Sequence, residues 1–327
     1  MPGAPAVSVV VPVFDAEAHL DACLASAVAQ DFTECEILLY DDGSTDGSAA
    51  KMAGWAERDP RIRVERGDAR LGPVGSSNRI VELARAPLIA RLDADDLMLP
   101  GRLSAQVAAF TAQPDAMLIG GLAWTIDGNG RRVRAPDLAR LMRASNFAPF
   151  PHSSAMFRRE AWERIGGYRA GTEKWEDVDF FLRISEAGSI WVIPHAIAAY
   201  RQNADTTRLQ EGLTELEAAM DRMARTLAPD GRASSSRVAP AAFRHIGATL
   251  LWSGGRPRLL GRVLRRAKLG LDRESIRLLG WAAAAQVAPG PLRALLRSRL
   301  ATGNRRANRL LSGRELVPWR PGVALTD

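Results

Sequence analysis

The sequence predicts an α/β fold: a mostly parallel sheet with helices on both faces, followed by a basic, mainly helical C-terminal region. Three observations carry this expectation. Short β-branched or apolar runs alternate with segments of helical spacing through the first hundred residues. Acidic clusters follow two of those runs directly. Beyond Arg208 apolar positions recur at helical intervals among many arginines.

The elements follow in order. Val7 to Val11 is a β-branched run suited to a strand buried on both faces. Leu20, Leu24, Ala27 and Val28 then fall on one side of a helix. Glu36-Ile37-Leu38-Leu39-Tyr40 reads as the second strand and stops at the turn cluster Asp41-Asp42-Gly43-Ser44. A helix to about Glu57, a strand from Arg61 to Glu65, a glycine-containing loop and a helix near Ser76 to Ala84 come next. Pro87 to Leu92 is the fourth strand, and it ends on Asp93. This βαβαβαβ order implies right-handed crossovers, with ligands beyond the carboxyl ends of the strands. Both acidic clusters occupy that rim. From Met117 onward the pattern is less regular, with a strand near 117–119 and a turn at Asp127-Gly128-Asn129-Gly130. The chain divides into a catalytic-type domain over 1–207 and a helical region over 208–327.

Composition narrows the class. The only cysteines, Cys23 and Cys35, lack metal-ligand spacing and read as reduced packing residues. No apolar run approaches the ~18 residues of a membrane span, and the N-terminal run leads into Pro12 without a basic flank. The expected location is therefore cytoplasmic. The net charge of +7 is uneven, because residues 256–314 hold 15 Lys and Arg against Asp272 and Glu274. The remainder is mildly acidic, so the basic stretch needs its own explanation.

The chemistry centres on Leu92-Asp93-Ala94-Asp95-Asp96. Three carboxylates in four residues repel one another, and a divalent cation such as Mn²⁺ or Mg²⁺, bridging to a diphosphate, would relieve that repulsion. A polar turn that caps a helix is the competing reading. Glu176-Asp177 is a second carboxylate pair, placed where a helix begins. The helix N-terminus is expected to lower its pKa.

The neighbouring motifs carry a resemblance. Val9-Val10-Val11-Pro12-Val13-Phe14, Asp41-Asp42-Gly43-Ser44-Thr45-Asp46-Gly47, Gly72 and Asn78, Leu92 to Asp96, His152 to Arg159, Ile165-Gly166-Gly167-Tyr168, Trp175 to Arg183 and Tyr200-Arg201 stand in one order over residues 7–203. Together they resemble the family 2 glycosyltransferases, whose domain has the Rossmann-like GT-A fold. The resemblance implies an inverting transfer of a hexosyl-type sugar from a nucleotide-sugar, UDP-linked by default, to a saccharide or lipid-linked acceptor in polysaccharide or glycoconjugate synthesis. It implies that Pro12, Val13 and Phe14 line the base pocket and that Asp41 or Asp42 accepts the base imide N–H. Asn78 joins the donor site, and Asp93 meets the ribose or assists Asp95 at the metal. Asp177 is the preferred general base and Glu176 the alternative. Trp175 and His152 are acceptor-side candidates.

Two positions depart from the pattern: Ser77 where relatives often carry Arg, and Asn203 where they often carry a metal-binding His. His152 and His195 are the candidate substitutes for that ligand. A catalytically silent binding or scaffold protein of the same fold is the alternative function. In the C-terminal region Leu292, Leu295, Leu296 and Leu300 form a stripe, with Arg293, Arg297 and Arg299 largely opposite. Such a helix suits an anionic membrane surface, here the inner face of the cell membrane, or else a cap on the catalytic domain. Sparse aromatic interleaving argues against nucleic acid.

Overall fold

The computed structural model describes residues 4–136, 150–173, 176–202 and 316–319. Four strands lead in parallel: β1 (Val7–Val13), β2 (Cys35–Asp41), β3 (Ile62–Arg66) and β4 (Leu88–Arg91). Between them run α1 (Glu17–Val28), α2 (Ser48–Arg58) and α3 (Gly72–Leu83). After β4 come β5 (Leu97–Met98), α4 (Arg102–Ala112), β6 (Ala116–Ile126) and β7 (Arg132–Arg134). A 3₁₀ turn at His152–Ser154 leads into β8 (Met156–Arg158), α5 (Arg159–Arg164), α6 (Glu176–Ala187) and β9 (Ser189–Arg201). A last strand, β10 (Val317–Trp319), closes the series.

The sheet order is β10-β9-β6-β8-β4-β1-β2-β3, with β5 on β9 and β7 on β6. The β1–β4 half is parallel, as the alternating pattern predicts. The other half is mixed: β8 runs antiparallel to β4 and to β6, while β6 and β9 are parallel. The expected turn at residues 127–130 joins β6 to β7.

Both faces are covered. Val7, Val9, Val11 and Val13 of β1 share one core cluster with Leu20, Cys23, Leu24 and Ala27 of α1 and Leu103 of α4. Val10, Leu38 and Ile89 are also buried, and α3 packs over β1 and β2. Cys23 and Cys35 are buried free thiols, which agrees with a packing role. The basic stretch 256–314 and the 207/208 boundary lie outside the described residues. Within 208–327 the described part is 316–319, where Val317 pairs with Val192 of β9 and is fully buried.

Candidate active site

The carboxyl ends of β1, β2 and β4 meet at one rim. Beside β1, the Asp42 N–H donates to Val13 O at 2.8 Å, which locks the acidic turn to the end of that strand. Ser44 N–H donates to Asp41 Oδ1 at 2.8 Å, and Asp15 N–H donates to Ser44 Oγ at 3.1 Å. Asp15 holds a left-handed φ of 45°, and its own carboxylate accepts from Thr45 N–H at 2.8 Å. These bonds fix the Pro12-Val13-Phe14 segment against Asp41-Asp42.

The two aspartates then part in role. Asp42 accepts from the N–H groups of Leu71 (2.7 Å) and Gly72 (2.9 Å), so it clamps the loop that starts α3. Gly72 meets that clamp at φ 74°, a conformation that favours glycine. Asp41 is almost fully buried, and its Oδ2 accepts no hydrogen bond; the nearby Arg66 Nε lies 3.5 Å away. A buried carboxylate oxygen left open at a strand end suits an N–H donor from a ligand. Phe14 is 37% exposed, and the Arg70 guanidinium lies over its ring, 3.7 Å from the centroid.

Asp93 to Asp96 follow β4 as expected. Asp93 Oδ1 accepts from Arg91 Nε at 2.8 Å, and Oδ2 accepts from Ser153 Oγ at 2.8 Å. Burial pushes the Asp93 carboxyl up, but the Arg91 guanidinium, His152 and the Ser153 hydroxyl prevail and hold it at about 2. Ser153 Oγ is also 2.5 Å from Asp96 Oδ2. One hydroxyl proton cannot serve both carboxylates. Burial, with Asp93 and Asp95 close by, pushes the Asp96 carboxyl well up. The other Asp96 oxygen accepts from Arg201 N–H at 2.7 Å, and Arg201 Nε donates to Asp95 O at 2.7 Å. Asp95 itself is half-exposed.

That arrangement revises the expected metal pair. Asp93 has a guanidinium on one oxygen and a hydroxyl on the other, which opposes a cation there. Asp95 is left as the cluster's candidate ligand. Among the described residues no three His, Cys, Asp or Glu side chains gather to hold an ion. A single carboxylate still fits Mg²⁺ or Mn²⁺ when substrate phosphates complete the shell, because such ions seldom use all-protein cages. Of the proposed histidine substitutes, His152 is buried, with Nε2 hydrogen-bonded to the Tyr168 hydroxyl at 2.8 Å and its ring against Tyr168 and Phe181. Burial pushes it down to about 3, so it stays neutral in the wall of the site. His195 lies on β9 six residues before Arg201, about 20 Å along the strand, too far to reach Asp95. Asn203 lies outside the described residues, as does Trp175.

Asn78 departs from its expected role. Asn78 Nδ2 donates to Tyr168 O at 2.8 Å, while Asn78 Oδ1 accepts from Tyr168 N–H at 2.7 Å and from Trp162 Nε1 at 3.2 Å. A Cβ on Gly167 would meet that oxygen at 2.6 Å. Asn78 thus fastens the Gly166-Gly167-Tyr168 turn to α3. The missing arginine at Ser77 has a counterpart: Arg91 Nη1 donates to Ser77 Oγ at 2.9 Å, so a guanidinium reaches that spot from β4.

On the far side, Glu176 and Asp177 open α6, and both are half-buried. Asp177 Oδ1 accepts from Val178 N–H at 2.8 Å, the capping bond expected at a helix start. Its pKa runs opposite to the helix-dipole expectation. Burial and the neighbouring Glu176 charge, with a contribution from Asp93, outweigh the backbone bond and raise it to about 7. Asp179, one turn in, is gripped by Arg169 and by Arg183, whose Nε lies 2.9 Å away. The helix start is therefore braced. Arg91, Ser153, Arg102 and Arg201 were not singled out from sequence. The available signals were a cation inside an otherwise apolar strand before three acids, and the Tyr200-Arg201 pair that closes the ordered motifs.

The family model for glycosyl transferase family 2 matches residues 8–170. The chain is 30% identical over 193 residues to the putative glycosyltransferase EpsE of Bacillus subtilis, covering 58% of this chain and 69% of EpsE. It is 33% identical over 194 residues to the O-antigen biosynthesis protein RfbC of Myxococcus xanthus, covering 57% of this chain but only 15% of RfbC. Its fold matches S. aureus TarS 1-349 in complex with UDP-GlcNAc at a TM-score of 0.58 and 14% identity, over 86% of this chain and 91% of that one. It also matches the mannosyltransferase PcManGT of Pyrobaculum calidifontis, in complex with GDP-Man and Mn²⁺, at a TM-score of 0.55 and 19% identity, over 95% and 89%. The acidic rim on a half-parallel sheet, the ordered motifs and these likenesses agree, and the chain belongs to glycosyl transferase family 2, with a GT-A catalytic fold and nucleotide-sugar-dependent glycosyl transfer as its activity.

Proposed function

We propose that this chain moves a hexosyl sugar, with inversion, from a nucleoside-diphosphate donor to a hydroxyl of a saccharide or lipid-linked acceptor in bacterial surface-polysaccharide synthesis. One observation carries the reading. Two carboxylates of one site are pushed apart, Asp93 down to about 2 and Asp177 up to about 7. Such a split separates a permanently ionised binding group from a group able to take a proton near neutral pH. A silent scaffold has no use for that division, so catalysis is the favoured reading.

The base imide N–H goes to the Asp41-Asp42 edge, with Phe14 beside it, and Asp93 receives the ribose. UDP is the default nucleotide. The solved relatives contain UDP-GlcNAc in one case and GDP-Man with Mn²⁺ in the other, which supports a hexosyl donor and a divalent ion. When bound through Asp95 and the donor phosphates, Mn²⁺ or Mg²⁺ would supply positive charge for the leaving diphosphate. Asp177 holds the acceptor hydroxyl and takes its proton as the new C–O bond forms. Attack opposite the departing phosphate inverts the anomeric carbon.

Thermal unfolding against UDP, GDP and dTDP, each with and without Mn²⁺, tests the donor site. Saturation at 100 times Kd adds about 2.7 kcal/mol, a rise of roughly 5 °C or more. Asp95→Ala should remove the Mn²⁺-dependent part and leave the metal-free part. No shift with any nucleotide would overturn the reading.

Peripheral membrane attachment belongs to the same proposal. Among the described residues no helix is long and apolar enough to cross a membrane. The basic stretch 256–314 supplies the electrostatic motive. The full chain should sediment with vesicles containing phosphatidylglycerol and be released by 0.5 M salt, roughly a Debye length of 4 Å. Equal binding to neutral vesicles would contradict an electrostatic attachment.

A further inference from the structure

Two aromatic rings stand among the large apolar side chains that remain exposed in the described residues: Phe14, at 37%, and Tyr200, at 40%. Phe14 directly follows β1, beside Asp41-Asp42. Tyr200 stands near the end of β9. The strand order puts β1, β2 and β3 on one side of β4, and β8, β6 and β9 on the other. The Asp93–Asp96 turn leaves β4 between these two groups. The rim thus carries one exposed ring on the nucleotide side of the carboxylates and one on the opposite side.

The backbone at Tyr200 is held to the acidic turn. Ala199 pairs with Leu97, and Arg201 N–H donates to Asp96 Oδ1 at 2.7 Å. The Arg201 side chain bonds Asp95 O at 2.7 Å, Asp127 O at 2.8 Å and Gly128 O at 2.9 Å. Tyr200 is therefore presented by a segment pinned on both sides. Burial, with a smaller effect of the charges of Asp96, Asp93, Asp95 and Asp177, pushes the phenol up, so it stays protonated.

An exposed ring on a strand end bonded to an acidic turn matches the two faces of a pyranose. The sugar's polarised C–H bonds stack on the negative π-face, while its hydroxyls donate to the acids. We infer that Tyr200 is the stacking platform for the acceptor pyranose, on the side of the Asp93–Asp96 turn away from the nucleotide. This inference rests on the glycosyltransferase reading above.

Saturation-transfer NMR on the full chain, loaded with UDP and Mn²⁺, tests it. The probes are the methyl β-D-glucopyranoside, β-D-galactopyranoside and N-acetyl-β-D-glucosaminide. At least one should receive saturation chiefly at the C–H protons of one ring face. Tyr200→Phe should keep that signal and Tyr200→Ala should weaken binding about tenfold, with UDP affinity unchanged in both. Retained binding in Tyr200→Ala, loss in Tyr200→Phe, a parallel loss of UDP binding, or no pyranose signal in the wild type would each overturn the platform. Failure of the wild type to bind UDP would instead count against the donor-site reading itself.

Discussion

Asp177→Asn is expected to lower glycosyl transfer by roughly 10²- to 10⁴-fold, the usual worth of a positioned general base, while UDP affinity stays within about twofold. The amide keeps the shape of the carboxylate and its bond from Val178 N–H, but it cannot take a proton. In the wild type, log kcat should rise with unit slope to about pH 7 and then level, because the base acts only when ionised. Glu176 is one of the charges that raise Asp177, so Glu176→Gln should move this acid limb to lower pH while transfer persists. If Glu176 were the base, the two variants would exchange behaviour, and rate measurements over pH 5–9 separate the cases. Stability should move the other way. An Asp177 carboxyl at about 7 when folded and 3.8 when unfolded gives up its proton first in the unfolded chain. The folded state therefore loses stability as pH rises from 3.8 to about 7. Asp177→Asn removes this loss, so its melting temperature at pH 8 should equal or exceed that of the wild type. Lost activity with retained stability is the signature of a group kept for chemistry rather than for folding.

The parts of the site that the sequence discloses are those made by neighbours in the chain. The β1, β2 and β4 runs announce parallel strands, and the turn chemistry after them places Asp41-Asp42 and Asp93 to Asp96 on one rim. Roles set by distant partners were not legible. Ser153 reaches Asp93 across 60 residues, and Arg201 reaches Asp96 across 105. Those bonds decide which carboxylate oxygens of the acidic turn are already engaged. Asn78 illustrates the same point. Its spacing in the motif suggested a ligand contact, whereas its partner is the Tyr168 backbone, 90 residues on. The antiparallel β8 was missed for a related reason. Three residues carry no period of their own, and β8 forms because β4 and β6 flank it. The pKa of Asp177 was misjudged because the helix dipole can be read from sequence, while burial cannot.

The largest effect on stability is expected at Arg102, a fully buried cation with no carboxylate in direct contact among the described residues. Its Nε donates to Gln106 Oε1 at 2.9 Å, and Nη2 donates to Arg91 O at 2.9 Å and Ala155 O at 3.2 Å. Nη1 donates to Ser153 O. Gln106 continues the network, donating to Ile119 O at 2.7 Å and Ser154 O at 2.9 Å. The planar fork thus joins the end of β4 to the segment that carries Ser153. Burial pulls its pKa down to about 9, partly offset by Asp93 and Asp96, so it remains charged at neutral pH and supplies a counter-charge beneath the acidic turn. Arg102→Met fills much of the volume but takes the Arg102 donor from Ser153 O, Arg91 O and Gln106 Oε1, while Ala155 O keeps the Arg91 N–H. Each buried group left unsatisfied costs about 1–3 kcal/mol, and relaxation recovers part, so a loss on the order of 4 kcal/mol is expected in urea unfolding. Arg102→Lys should recover little of it, because an ammonium lacks the flat fork that reaches both chain segments. A loss below about 1 kcal/mol in Arg102→Met would mean that the carbonyls find other partners. The order of events then follows from the geometry. Arg102 holds the Ser153 backbone, and the Ser153 hydroxyl in turn bonds Asp93 and Asp96, so the brace reaches the acidic turn through one residue.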